Sequence, residues 1–123
     1  MFLNVTAHEA VLSGSAGELS AAGHRIGELR PGEKLELPVS LKSGLLHEQG
    51  AKVVVIAAAN TTFMAQQDGK RLMIEGSPAS LQAFAEHFSF NCEPIPGVHS
   101  HWDLGGISDL VNPESLPIVV QIA

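Results

Sequence analysis

The feature that most constrains this chain is a strand, a Gly-Ser step and a helix start, written twice. Residues 11–26 read VLSGSAGELSAAGHRI and residues 73–88 read MIEGSPASLQAFAEHF. Gly14 aligns with Gly76, Ser15 with Ser77, Leu19 with Leu81 and Ala21 with Ala83, and apolar residues align at Val11/Met73, Leu12/Ile74 and Ile26/Phe88. A serine just ahead of an apolar-periodic run accepts hydrogen bonds from the free N–H groups of a first helical turn. Pro78 then fits the first helical position, where no N–H is needed. Leu81, Phe84, Ala85 and Phe88 follow the i, i+3, i+4, i+7 rhythm of a helix with one apolar face.

The surrounding residues extend the pattern. In the second half, RLMIEG (71–76) is a short β-type run, and Asp68-Gly69 supplies a tight turn that pairs it with TTFMA (61–65). The segment NCEPIPG (91–97) ends the helix, and VHSHWDL (98–104) and LPIVVQIA (116–123) read as strands, the second more buried. In the first half, MFLNVTA and EAVLSG form a hairpin around Ala7-His8, and Ser15 caps a helix to about Arg25. RPGE (30–33) is a turn, and KLELPVSL (34–41) and KVVVIAAA (52–59) are strands. The first helix carries Gly17 and Gly23, each costing roughly 1 kcal/mol against alanine.

The expected fold is therefore α+β: two small ββαββ pseudo-repeats, each an antiparallel sheet with one helix. Residues 1–60 form the first, divergent copy and residues 61–123 the second. A unit of about 60 residues is marginal alone, so the copies are expected to share a core in one compact unit.

Composition narrows the function classes. Of 123 residues, 45% are hydrophobic and 16% charged, which suits a globular domain, and the net charge of −6 disfavours nucleic acid and anionic membranes as partners. It favours a basic partner. One cysteine, Cys92, leaves neither an internal disulfide nor a cysteine-rich zinc framework. The longest apolar run, VVVIAAA (53–59), is too short to span a bilayer, and no secretory signal is evident at the start. The expected location is the cytoplasm.

The chemically distinctive stretch is GVHSHWDLGG (97–106). On a strand His99, His101 and Asp103 share one face, and Val98, Ser100, Trp102 and Leu104 share the other. Three readings follow: a wet strand face, a metal site, or a contact surface. Imidazole and carboxylate suit zinc or iron, but a complete site needs further ligands, for which His87, Glu86 or Asp109 are the candidates. Trp102 is either a core anchor or a contact residue. Ser15 and Ser77 are read as caps, since no nucleophile-elbow motif is present.

The second half resembles the immunity-protein-32 family of bacterial polymorphic-toxin systems, through IEGSPASLQAFAEHF (74–88), GVHSHWD (97–103) and NPESLPIVVQI (112–122). The likeness covers roughly residues 62–123 and leaves the first half unmatched. Trp102 stands where that family usually has leucine. The resemblance implies a non-enzymatic protein, without a cofactor, that binds and neutralises a cognate toxin. His99, His101, Asp103 and Trp102 are the expected binding residues. The alternative is a small metal-binding protein or metal-dependent enzyme built on the His99/His101/Asp103 row. A homodimer through a strand edge is a further expectation.

Overall fold

A computed structural model describes residues 1–43, 46–90, 95–102 and 110–123, with 42–43 and 46–49 described by backbone alone. In chain order the elements are β1 (Phe2–Val5), β2 (Ala10–Gly14), α1 (Ala16–Gly27), β3 (Lys34–Ser43), β4 (Leu46–Ala57), β5 (Met64–Asp68), β6 (Arg71–Gly76), α2 (Pro78–Glu86), β7 (His99–Trp102) and β8 (Ile118–Ile122). The fold is α+β, with one eight-stranded sheet and two helices among the described residues.

Local chemistry explains the helix starts. Ser15 and Ser77 occupy nearly the same extended backbone, φ −67°, ψ 158° and φ −68°, ψ 157°. The hydroxyl of Ser15 accepts from Glu18 N–H and that of Ser77 accepts from Ser80 N–H, both at 3.1 Å. In α1 the Glu18 carboxylate also accepts from Ser15 N–H at 3.0 Å, closing a reciprocal cap. In α2 the third residue is Ser80, fully buried, and its hydroxyl donates to the Ser77 carbonyl at 2.9 Å. The preceding glycines leave room for these caps. A Cβ on Gly76 would lie 2.5 Å from Ser80 Oγ, and one on Gly14 would lie 2.9 Å from Met1 Cγ.

The strand order is β5-β6-β4-β3-β1-β2-β8-β7. The two expected hairpins, β1/β2 and β5/β6, are present, and β3/β4 and β7/β8 are antiparallel pairs as well. The expectation of two antiparallel sheets is corrected. The hairpins join edge to edge through parallel pairs, β1/β3, β2/β8 and β4/β6, so the sheet is single and mixed. Two of these, β2/β8 and β4/β6, pair a strand of residues 1–60 with one of residues 61–123. Each hairpin alone would leave rows of free N–H and C=O groups, and the parallel joins satisfy them.

The ladder between β3 and β4 shifts between Val39 and Leu41, where Ser40 turns instead to β1 and its N–H donates to the Met1 carbonyl at 3.1 Å. Gly50 on β4, at φ 86°, takes the left-handed conformation that such a bulge requires.

The sheet curls so that its two ends approach each other. Phe63, just ahead of β5, bridges Val111 in parallel, and its ring lies 5.1 Å from that of Trp102 on β7. Both helices cover one face, and they touch at a glycine: a Cβ on Gly23 would meet Phe88 Cβ at 2.7 Å and the Ala85 carbonyl at 3.0 Å. The conformational cost of Gly23 in α1 is thus offset by close helix packing. Leu3, Leu12, Leu19, Ile26, Leu35, Val53, Val55, Leu72, Ile74, Leu81, Phe84, Ile118 and Val120 join in one core from both halves. No described helix is long and apolar enough to cross a membrane.

Candidate functional site

The distinctive stretch falls on β7, at one end of the sheet and paired to β8 in the register His99↔Gln121, Ser100↔Val120, His101↔Val119 and Trp102↔Ile118. Strand alternation then separates its side chains as expected. His99 and His101 are exposed on the outer face, Ser100 is half-buried, and Trp102 is 1% exposed.

The outer pair is close. The two imidazoles meet edge to face, with centroids 4.9 Å apart and planes at 79°. His99 Nδ1 lies 3.0 Å from the Gly97 carbonyl. A carbonyl only accepts, so Nδ1 carries a proton, and in the neutral form of the ring the lone pair falls to Nε2. No hydrogen bond among the described residues engages the His101 ring. Opposite His101, Val119 is only 6% exposed although it faces outward. Directly opposed residues on one face lie about 5 Å apart at Cβ, and the register sets His101 on one side of Val119 and Val11 of β2 on the other.

On the inner face Trp102 takes the first of its two expected roles, a core anchor, and is buried away from any outer contact. Its indole packs in the core at 5.1 Å from Phe63, 5.5 Å from Phe84 and 5.3 Å from His87. A flat ring of this area is stabilised most by burial, and the gap between α2 and the sheet end accommodates it. Its Nε1 has no hydrogen-bond partner among the described residues.

The candidate extra metal ligands divide likewise. His87 caps the C-terminus of α2, and its Nδ1 hydrogen-bonds Ser100 Oγ. It therefore lies behind β7, on the face opposite His99 and His101. Asp103 and Asp109 lie outside the described residues, as does Cys92. No group of three or more His, Cys, Asp or Glu arranged to hold a metal occurs among the described residues.

The His87–Ser100 contact was not anticipated from the sequence. The alternation that turns Trp102 inward also turns Ser100 inward, and a histidine one turn past Phe84 on α2 is the residue placed to meet it. The covering of β5 was equally unforeseen. Phe63 N–H donates to the Leu110 carbonyl at 2.7 Å, Asn112 N–H to the Phe63 carbonyl at 2.8 Å, and Leu116 N–H to the Ala65 carbonyl at 2.9 Å. Ala65 N–H adds a bond to Ser115 Oγ at 2.9 Å.

A depression of about 570 Å³ on the outer face is lined by Ile56, Met64, Met73, Thr61 and Asn112, among others, away from the β7 histidines.

Two carboxylates on the surface are held below their usual range. The Ser15 N–H, and then the Met1 amino group at 3.1 Å, lower Glu18. Lys34 at 3.4 Å, and then Lys52 at 3.7 Å, lower Glu36.

No family model, curated protein or solved structure matches this chain.

Proposed function

We propose that the protein is a non-catalytic binding module that neutralises a cognate bacterial toxin, with the outer face of β7 and its edge, unpaired among the described strands, as its contact. The observation that carries this reading is the placement of His99 and His101. They project from a sheet-end strand whose other face is fixed by the buried Trp102. A rigidly backed strand presenting paired imidazoles is pre-organised for contact, which reduces the ordering cost of association. Its outer backbone edge suits addition of a partner strand, with main-chain bonds giving affinity and alternate side chains giving specificity. The net charge of −6 supports a basic toxin, drawn in by electrostatic steering, and argues against nucleic acid or membrane partners. The site of action is the cytoplasm of the producing cell.

In this reading the two ββαββ halves are copies of one unit. The matching cap geometry of Ser15 and Ser77 and the paired parallel joins β2/β8 and β4/β6 support that relation. The first copy serves as scaffold and the second carries the contact.

Affinity capture from native cells, followed by mass spectrometry, tests the proposal. The expected result is a one-to-one complex with a toxin domain whose growth inhibition is relieved by co-expression. Replacing His99 and His101 by alanine weakens that complex at least ~10-fold, the effect of about 1.4 kcal/mol, without changing the melting temperature. Recovery of no toxic partner, or a complex indifferent to both substitutions, overturns it.

A further inference from the structure

We propose that His99 and His101 form a two-imidazole chelate for a divalent first-row transition ion, with copper(II) and nickel(II) held more firmly than zinc. The first support is distance. A metal sits about 2.0–2.1 Å from a histidine nitrogen, so it lies roughly 3.2 Å from the ring centroid. Two rings sharing one ion then have centroids about 4.5 Å apart at right-angle coordination and about 5.2 Å apart at a tetrahedral angle. The observed separation is 4.9 Å, inside that interval.

The second support is the tautomer. Metal-binding histidines characteristically donate the other ring N–H to a carbonyl or carboxylate, which fixes the ring and strengthens the free nitrogen as a donor. His99 has this arrangement through Gly97, whose carbonyl lies 3.0 Å from Nδ1. Gly97 takes φ 95°, a conformation that glycine adopts without the steric cost of a Cβ. The short loop ahead of β7 thereby holds the carbonyl where the imidazole needs it.

The third support is rigidity. The two histidines are alternate residues of a strand laddered to β8 and anchored from behind by Trp102. The backbone spacing of the two rings is therefore set before either binds metal. Imidazole is a good ligand for copper, nickel and zinc, and the order among them follows the general stability series for divalent ions. The remaining coordination positions face solvent, open to water or to a donor from a docked protein. The site stands on the chain alone and does not depend on the toxin-binding reading.

The test uses the full chain, free of tags and stripped of metal, titrated with Ni²⁺ by calorimetry and with Zn²⁺ by ¹⁵N-resolved imidazole spectra. One ion per chain is expected. Zn²⁺ shifts the His99 and His101 rings at Nε2, with Nδ1 of His99 still protonated, and leaves His8 and His24 unmoved. His99→Ala and His101→Ala each lower Ni²⁺ affinity on the order of 100-fold, because the second ligation is intramolecular. His8→Ala leaves it unchanged. Metal spread over all the histidines, metal at His99 Nδ1, or an affinity untouched by both substitutions overturns the proposal. The spectra of the unaltered chain decide the matter even if a variant folds poorly.

Discussion

β3 and β7 are the third strands of the two halves, and their circumstances differ. β3 lies inside the sheet, with β4 on one side and β1 on the other. Its inner residues Leu35, Leu37 and Val39 are ordinary aliphatic core, and its outer Lys34 and Glu36 form surface ion pairs with each other and with Lys52. β7 ends the strand order and, among the described strands, pairs with β8 alone. Its inner anchor is an indole among three other rings, and its outer residues are imidazoles without ion pairs among the described residues. One strand position is spent on cohesion in the first half and left available in the second. The two faces of β7 divide the same way: the face toward α2 is packed in the core, and the face toward water presents the two imidazoles.

The largest expected effect tests that division within one strand. Trp102→Ala removes the indole from a sealed site and lowers stability by about 3–5 kcal/mol, read by chemical denaturation. Substituting His99 and His101 together, on the opposite face, changes stability by less than ~0.5 kcal/mol. Equal losses would mean that β7 is not two-sided.

A second comparison concerns the two glycines of α1. Gly23→Ala destabilises by about 1–3 kcal/mol, since the added methyl meets Phe88 and the Ala85 carbonyl and overpacks the helix contact. Gly17→Ala has open space around it and stabilises by up to ~1 kcal/mol through helix propensity. Thermal melts of the two variants should move in opposite directions.

The smallest effect separates the two helix caps. Glu18 is held below its ordinary 4.5, so its contribution is present above the unfolded-state value and is lost as pH falls through the lower folded value. Glu18→Gln therefore reduces stability at pH 7 by less than about 1 kcal/mol, its side chain being half exposed. The difference from the unaltered chain vanishes at pH values below the folded one. Ser80→Ala in α2 has no such pH dependence, because a hydroxyl replaces the carboxylate there. Melting curves across pH 2.5–7 distinguish the two.

Local chemistry made most elements legible. RLMIEG at 71–76 coincides with β6, and Ser15 and Ser77 cap as their spacing implies, while the β5/β6 hairpin turns at Gly69-Lys70, one residue past the expected Asp68-Gly69, and its first strand runs Met64–Asp68 rather than 61–65. Strand order was not legible, because period-2 alternation says which face a residue takes and nothing about which strand lies beside it. The parallel joins connect residues far apart in sequence, such as Val11 with Val119 and Val54 with Met73. Gly23 read as a defect until Phe88 was seen against it. At the site, alternation alone put His99 and His101 outward. It also placed Trp102 inward, and composition could not tell an anchor from a contact. The position of His87 depends on where α2 crosses β7, a tertiary fact with no local signature.

The β2/β8 pairing bears on how the protein is made. As the chain leaves the ribosome, the β1/β2 hairpin emerges ahead of its sheet neighbour β8, with every other described strand between them in chain order. Until β8 follows, the flank of β2 that it pairs is bare, so that side of the hairpin stays unladdered during synthesis.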